Sequence, residues 1–397
     1  MLRAANFVAA IVVARVGGAA TFGIYATALA YATVATMIAD NGLGITTVRK
    51  IGSSPDQLNE LYTQYAVCKS VLFTIMVVVL AAVGWMAHLA GLEWAIGTLI
   101  VARTTLQSYC QMQITLLKAI DRMQAISVIQ GIHSLVLLLA LWGCYVRWRS
   151  ITFVIGALVV TQSLELLLEA AWIRRLDIRL VRVGMRDCWK LMHGSTSVGV
   201  TLGLTTAIVR LDVIVLSLIA GAVAVGVFAA AQTVMVILYV LGSLLASVLF
   251  PQMSRLAHMP EEFRRYFRHW SLLILGVMLP ATILSIAVGP WLIHSLFGRG
   301  FGASGGLLAI MLVAAPPLVL NALYLYRAFA LNLVRNYLGI YVGATVLAAL
   351  LDWPLAGSLG AAGIAVAVVV REYLILLAFW MLRVLPASRM PAPKATY

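Results

Sequence analysis

Long apolar stretches follow one another from end to end of this chain, separated by short polar or charged segments. The stretches are solid rather than alternating, so they read as helices and not as the strands of a barrel. Most are about 20 residues long, enough to cross a hydrocarbon core of ~30 Å. Twelve spans are expected, at roughly 2–15, 21–40, 66–90, 95–117, 123–146, 151–173, 194–219, 223–250, 270–292, 305–326, 334–351 and 359–382. The first is short, which leaves room for part of a helix ahead of Met1. Pro280 in the ninth span and Pro316-Pro317 in the tenth remove helix donors, so kinks or breaks are expected there, as static features or as hinges.

Composition agrees with this pattern. Of 397 residues, 63% are hydrophobic and 11% charged, and the mean hydropathy is +1.01. A soluble domain carries roughly a quarter of its residues charged. The expected class is therefore an all-α polytopic membrane protein. A net charge of +14 raises the question of nucleic acid, but the basic residues lie in short connections between apolar spans, and no nucleic-acid partner is expected. Twenty Lys and Arg fall on the termini and the even-numbered connections, against four on the opposite side. That asymmetry predicts both termini in the cytoplasm.

The longest polar connections, about 40–65, 174–193 and 251–269, all lie on the basic side, and none could fold a catalytic domain of ordinary size. The four cysteines (Cys68, Cys110, Cys144 and Cys188) are far apart and the six histidines dispersed, so neither a disulfide framework nor a metal site is expected. Arg3 and Arg15 interrupt the first run, which does not read as a cleavable signal peptide. No phosphate-binding GxxxxGK[ST] loop, HExxH or GxSxG occurs. No cofactor and no enzymatic activity are expected, and any active transport would be secondary.

An internal repeat adds to the picture. Gly18-Ala-Ala-Thr-Phe-Gly23-Ile-Tyr25-Ala26-Thr-Ala28 resembles Gly221-Ala-Val-Ala-Val-Gly226-Val-Phe228-Ala229-Ala-Ala231 at an offset of 203. Gly and Ala are frequent here, so chance is one reading. The positions favour another, because each block joins the first and second spans of successive six-span halves. Halves with an even number of spans share orientation, which predicts a parallel repeat with a division into 1–190 and 191–397.

At this point the residues resemble a known family. Ala14-Arg15-Val16-Gly17, Phe22-Gly23-Ile-Tyr25-Ala26-Thr-Ala28-Leu29 and Asp40-Asn-Gly42-Leu43-Gly44 resemble the opening of bacterial polysaccharide-export flippases. These are the Wzx-type O-antigen flippases of the multidrug/oligosaccharidyl-lipid/polysaccharide exporter superfamily. Arg210-Leu-Asp212, Gly226-Val-Phe228-Ala-Ala-Ala231, and Pro251 followed by Ser254 continue the likeness. The resemblance implies two six-helix bundles around a central cavity in the bacterial inner membrane. It implies a lipid-linked oligosaccharide, carried on undecaprenyl diphosphate, as cargo for O-antigen and lipopolysaccharide assembly. Membrane lipids are implied partners, and a polysaccharide polymerase and chain-length regulator proteins are further ones.

Charges inside the spans are the candidate site. A charge at the centre of a bilayer costs ~2.5–3.5 kcal/mol on insertion scales. Arg103, Arg210 and Arg371 each lie within a span. Guanidinium grips phosphate bidentately, so these residues are candidates for neutralising a diphosphate. Structural ion pairs or snorkelling are the alternatives. Lys69, near the end of its span, is expected to snorkel. Glu165 and Glu169, four apart, share one helix face and admit a proton-coupling site. Alternatively they pair with Arg residues, Glu169 with Arg174 or Arg175. Asp212, two residues from Arg210, points to nearly the opposite side, toward another helix, and joins the ion-coupling candidates. Tyr324, Tyr326, Tyr337 and Tyr341 either stack on sugars or form an interfacial belt, the latter favoured. Two other functions compete: a cation-coupled multidrug exporter of the same superfamily and, less favoured, a membrane polymerase or ligase.

Overall fold

The computed structural model describes residues 2–384, apart from 87, 89, 177, 332 and 333. Every expected span falls on a helix. The order is α1 (Leu2–Asp40), α2 (Leu43–Ser53), α3 (Leu58–Met86), α4 (Gly91–Ala119), α5 (Met123–Arg147), α6 (Ile151–Arg175) and α7 (Met185–Ile219), then α8 (Gly221–Leu256), α9 (Pro260–Phe297), α10 (Gly302–Leu312), α11 (Ala315–Ala330), α12 (Val334–Leu359) and α13 (Ala361–Val384). By length and hydropathy alone, eight of the described helices can cross a membrane, or nine if α10 and α11 form one bent span. The side chains of Tyr337 and Tyr341, and of Arg3, Arg335, Arg383, Arg389 and Lys394, lie outside the described residues.

The helical stretch α1 holds two of the expected spans. Gly18 divides it, at φ 71° and ψ −179°. That conformation belongs almost exclusively to glycine, because a Cβ collides with the backbone there. The size of the turn follows from one side chain: the two Nη atoms of Arg103 donate to Tyr25 Oη at 3.1 Å and to Asn6 Oδ1 at 2.7 Å. On a straight helix the Cα atoms of residues 6 and 25 would stand about 28 Å apart, beyond the reach of both side chains to one guanidinium. The chain therefore folds back at Gly18, and the two legs of α1 lie side by side.

The repeat carries this turn into the second half. Gly221, 203 residues on, also has positive φ, 75°. The residues after it are buried in register: Phe22 is 2% exposed and Val225 0%, Tyr25 4% and Phe228 0%.

The chain divides into two compact units, 1–214 and 215–397, with the division inside α7. In the first unit, α4 packs on α6 and α1, and α5 on α6 and α1. Leu43, Thr47 and Ile51, one turn apart, turn α2 inward, while Arg49 and Lys50 face out. In the second unit α8, α9, α10 and α11 pack together and α12 pairs with α13. Its core is aromatic: Tyr324 stacks on Phe379 at 5.3 Å and meets Phe267 edge-on at 5.0 Å. Arg327 lies 5.1 Å over the Phe267 ring.

The prolines act differently from one another. Pro316-Pro317 open α11, and the tenth expected span is broken there with a bend of 51°. Pro280 sits inside α9, which continues past it to Phe297. Membrane helices tolerate proline where neighbours satisfy the freed carbonyl.

The surface is inverted relative to a water-soluble protein. Val78, Trp142, Leu167, Val248 and Ile283 are more than half exposed, while Lys69, Glu165, Glu169, Asp212 and Glu372 are buried. Apolar side chains face outward and ionisable ones inward, as a lipid solvent requires. The chain is a multi-pass membrane protein.

Candidate functional site

In the first unit, Arg103 projects from α4 toward both legs of α1. It is 7% exposed, and its two hydrogen-bond partners, Tyr25 and Asn6, are neutral. Arg210 is partly buried on α7 of the same unit. Among the described residues, no carboxylate pairs with Arg103 or Arg210. Guanidinium stays protonated under any physiological condition, and among the described residues the charge of Arg103 is met by neutral partners alone. Tyr25 stands out in sequence only through the repeat and the family likeness, not as a partner of Arg103, and the signal for Asn6 is an Asn inside the short first apolar run.

Glu165 and Glu169 come together on α6, where it packs against α4 and α5. Glu165 Oε2 accepts a hydrogen bond from Gln162 Nε2 at 2.6 Å and lies 3.0 Å from His133 Nδ1. Gln162 Nε2 is also 3.3 Å from Cys110 Sγ, and the Cys110 thiol donates to the Gln162 carbonyl at 3.9 Å. Among the described residues, Glu165 Oε1 and Glu169 Oε2 are buried without a hydrogen-bond partner. Each could take a proton or contribute an oxygen to a small cation. His133 was counted only among dispersed histidines, but its position inside an apolar helix was the available clue. Asp212 is 1% exposed on α7.

Lys69 does not snorkel. Its side chain is wholly buried and its ammonium lies 2.6 Å from Asp40 Oδ1, at the end of α1. The Tyr65 and Phe73 rings lie 5.3 and 5.2 Å from the ammonium and complete its cage. Asp40 intercepts the side chain before it reaches the interface.

Arg371, in the second unit, has a different setting from the other two arginines. Its Nε lies 3.9 Å from Glu372 Oε1, the carboxylate next in sequence. Tyr239 Oη donates to Glu372 Oε1 at 2.7 Å, and Asn321 Nδ2 to Oε2 at 3.0 Å. Asn321 also donates to the Glu372 carbonyl, so α8, α11 and α13 are tied at this point. The sequence reading singled out Arg371 and passed over Glu372 beside it. Of the tyrosines, Tyr324 is 7% exposed within the aromatic core, and Tyr326 packs edge-on against Phe250 at 5.7 Å.

These features define a helical membrane protein with buried, functionally suggestive charges, and comparison with known proteins narrows the class. Among solved structures, the chain is similar in fold to the lipid II flippase MurJ in an inward closed conformation. The TM-score is 0.77 at 11% identity, covering 98% of this chain and 87% of that one. It is similar to an inward-facing multidrug resistance MATE family transporter of the MOP superfamily, with TM-score 0.72 and 14% identity over 96% and 94% of the two chains. A MOP superfamily transporter from Pyrococcus furiosus, described as having a binding pocket of reversed polarity, matches with TM-score 0.64 and 13% identity over 96% and 91%. The fold is that of the MOP superfamily.

The family follows from sequence. The profile described as "Polysaccharide biosynthesis protein" matches residues 2–257, and the chain belongs to that family. No curated protein matches it in sequence.

Proposed function

We propose that this protein is a flippase that moves a lipid-linked oligosaccharide, carried on undecaprenyl diphosphate, across the bacterial inner membrane for surface polysaccharide synthesis. The observation that carries the reading is Arg103, buried and hydrogen-bonded among the described residues to the neutral Tyr25 and Asn6, with Arg210 on α7 of the same unit likewise showing no carboxylate partner among them. Charge left uncompensated at membrane depth is costly unless an anion arrives to meet it. A diphosphate is such an anion, and two guanidiniums match its two phosphates. Arg371 suits the role less, since Glu372 already lies beside it. Membership of a polysaccharide biosynthesis family supports a sugar cargo. Both termini are assigned to the cytoplasm by the basic asymmetry, and each six-span half is assigned one bundle.

The test is replacement of Arg103 and Arg210 by Ala and by Lys in cells, with protein abundance held equal. Surface polysaccharide should fall and undecaprenyl-linked repeat units accumulate in the Ala variants. Lys should rescue only in part, because it cannot bind bidentately. Normal export by both Ala variants would sink the idea.

A second reading draws on the partnerless oxygens of Glu165 and Glu169. They suit a coupling cation, with Asp212 as a further candidate, in a multidrug exporter of the same fold. Unchanged drug efflux on deletion and overexpression excludes that reading. In the flippase, the same carboxylates are assigned to coupling.

A further inference from the structure

The connection from α6 to α7 holds more cations than any other polar segment of the chain. We propose that it is a docking surface for the phosphate headgroups of anionic phospholipids in the surrounding leaflet. This rests on placement in a membrane and is independent of the cargo.

The backbone fixes the connection in place. The Arg179 N–H donates to Asn59 Oδ1 at 3.2 Å, and the Val181 N–H to Thr63 Oγ1 at 3.0 Å. The Cys68 thiol donates to the Cys188 carbonyl at 3.3 Å. The segment therefore runs along the first turns of α3, and its inner side chains Ile178, Cys188 and Leu191 are buried. Outward stand Leu180, Met185 and Trp189, at 69%, 75% and 65% exposure. Arg179, Arg182 and Arg186 are exposed among them. Met185 and Trp189, four apart, share one face at the start of α7.

The charge balance selects an anion. From Arg174 to Lys190 the sequence holds six cations against two carboxylates, Asp177 and Asp187. Lys190 pairs with Asp187 at 2.9 Å. Among the described residues, no carboxylate comes within ion-pair distance of Arg174, Arg175, Arg182 or Arg186. The neighbouring elements leave this excess standing, since Asp56 and Glu60 before and on α3 are matched by Arg49 and Lys50 on α2. An excess of Lys and Arg on one side of a membrane accounts for the sign of the charge. It does not account for three large apolar side chains interleaved with that charge. Such a mixture suits a segment at the headgroup boundary, where apolar groups reach the acyl chains while guanidiniums stay with the phosphates.

Depth agrees with this. The apolar stretch of α3 begins at Ala66, so Thr63, and Val181 bonded to it, stand about 4.5 Å outside at 1.5 Å per residue. Cys68, and Cys188 bonded to it, stand about 3 Å inside. The headgroup layer occupies about 5–8 Å on each face of a bilayer. Arg182 thus lies at the level of lipid phosphates, and Trp189 at the edge of the hydrocarbon, where Trp is favoured.

The experiment uses the full chain in detergent, with an environment-sensitive dye on Leu180→Cys. The four native cysteines are buried, so the dye marks the new one. Phosphatidylglycerol should saturate the response at about one tenth of the concentration that phosphatidylcholine needs, a decade being ~1.4 kcal/mol. Replacing Arg174, Arg175, Arg182 and Arg186 together by Gln should bring the two lipids within about twofold of each other. Replacing the same four by Lys should keep the preference, because surface attraction follows charge, and salt at about 1 M should erode it. Trp189→Ala should weaken both lipids alike. These side chains are exposed, and native cysteines that stay unreactive confirm that each variant is folded. An equal response to the two lipids before any Arg is replaced would overturn the proposal, leaving topology as the whole account of these arginines. A preference retained by the Gln variant would overturn it too, by moving the selectivity elsewhere. Displacement of phosphatidylglycerol by farnesyl diphosphate at about a tenth of its concentration would reassign the surface to a prenyl diphosphate.

Discussion

Asp40 and Lys69 form an ion pair whose two ends are unequally shielded, and this makes their variants predictable in order. Lys69 is wholly buried, whereas the Asp40 side chain keeps 26% exposure. Asp40→Asn strands an ammonium between Tyr65 and Phe73 with no counter-charge, and breaking a buried pair from one side costs about 3–5 kcal/mol. Lys69→Met leaves behind a carboxylate that still reaches solvent, and puts an apolar side chain of similar length between the rings, so about 1–2 kcal/mol is expected. The double variant should recover most of the loss, since replacing a buried pair outright is often neutral or stabilising. The four cysteines are all buried and free, so a thiol-reactive dye that fluoresces on cysteine exposure reports unfolding directly. For a unit of about 200 residues, 1 kcal/mol corresponds to ~2–4 °C in Tm. Asp40→Asn should therefore lower the transition by roughly 6–20 °C, and Lys69→Met by roughly 2–8 °C. Equal losses for the two single variants, or additive losses in the double, would show that the pair is not the buried unit described here.

Four further outcomes follow from local geometry. A Cβ on Gly199 of α7 would run into the backbone of Asn41, so Gly199→Ala should cost about 2–3 kcal/mol by overpacking, read as a lower Tm. Asn41→Ala should cost about 1 kcal/mol, since Asn41 Nδ2 donates to the Met192 carbonyl at 3.1 Å. Gly18→Ala and Gly221→Ala should each destabilise by about 1–3 kcal/mol, because both glycines hold positive φ, and folded yield in detergent is the readout. Glu372→Ala removes the acceptor for Tyr239 and Asn321 and should cost about 2–4 kcal/mol, with Glu372→Gln milder because it keeps one acceptor oxygen.

Helix positions were legible in the sequence because bilayer thickness sets run length, and the hydropathy of the runs carries that information directly. The Gly18 turn was legible for a similar reason: its counterpart Gly221 has the same need for positive φ, so both stayed glycine at a fixed offset. The break in the tenth span could be read from Pro316-Pro317, whose missing N–H groups are local chemistry. Partnerships were not legible. A polar residue in an apolar run reveals that something must satisfy it, but the partner depends on which helices pack and in what rotation. Lys69 makes the point: an ammonium at that distance from a span end can snorkel or pair, and only the approach of Asp40 decides. His133 with Glu165 and Asn321 with Glu372 were hidden in the same way, each pair being far apart in sequence.

The two units treat their buried charge differently, and that difference bears on function. In the second unit Glu372 accepts from Tyr239 and Asn321 with Arg371 beside it, which ties three helices, while Asn321 Oδ1 is buried without a hydrogen-bond partner among the described residues. In the first unit, among the described residues, Arg103 has only neutral hydrogen-bond partners, and two carboxylate oxygens, Glu165 Oε1 and Glu169 Oε2, have none. The repeat itself supplies the contrast. Tyr25 corresponds to Phe228, so the hydroxyl that receives Arg103 is absent at the matching place in the second unit. A buried group left without its complement is destabilising, and it persists in a fold only where something outside the fold supplies the complement. On the flippase proposal, an anion meets Arg103 and Arg210, and a proton or small cation meets Glu165 and Glu169.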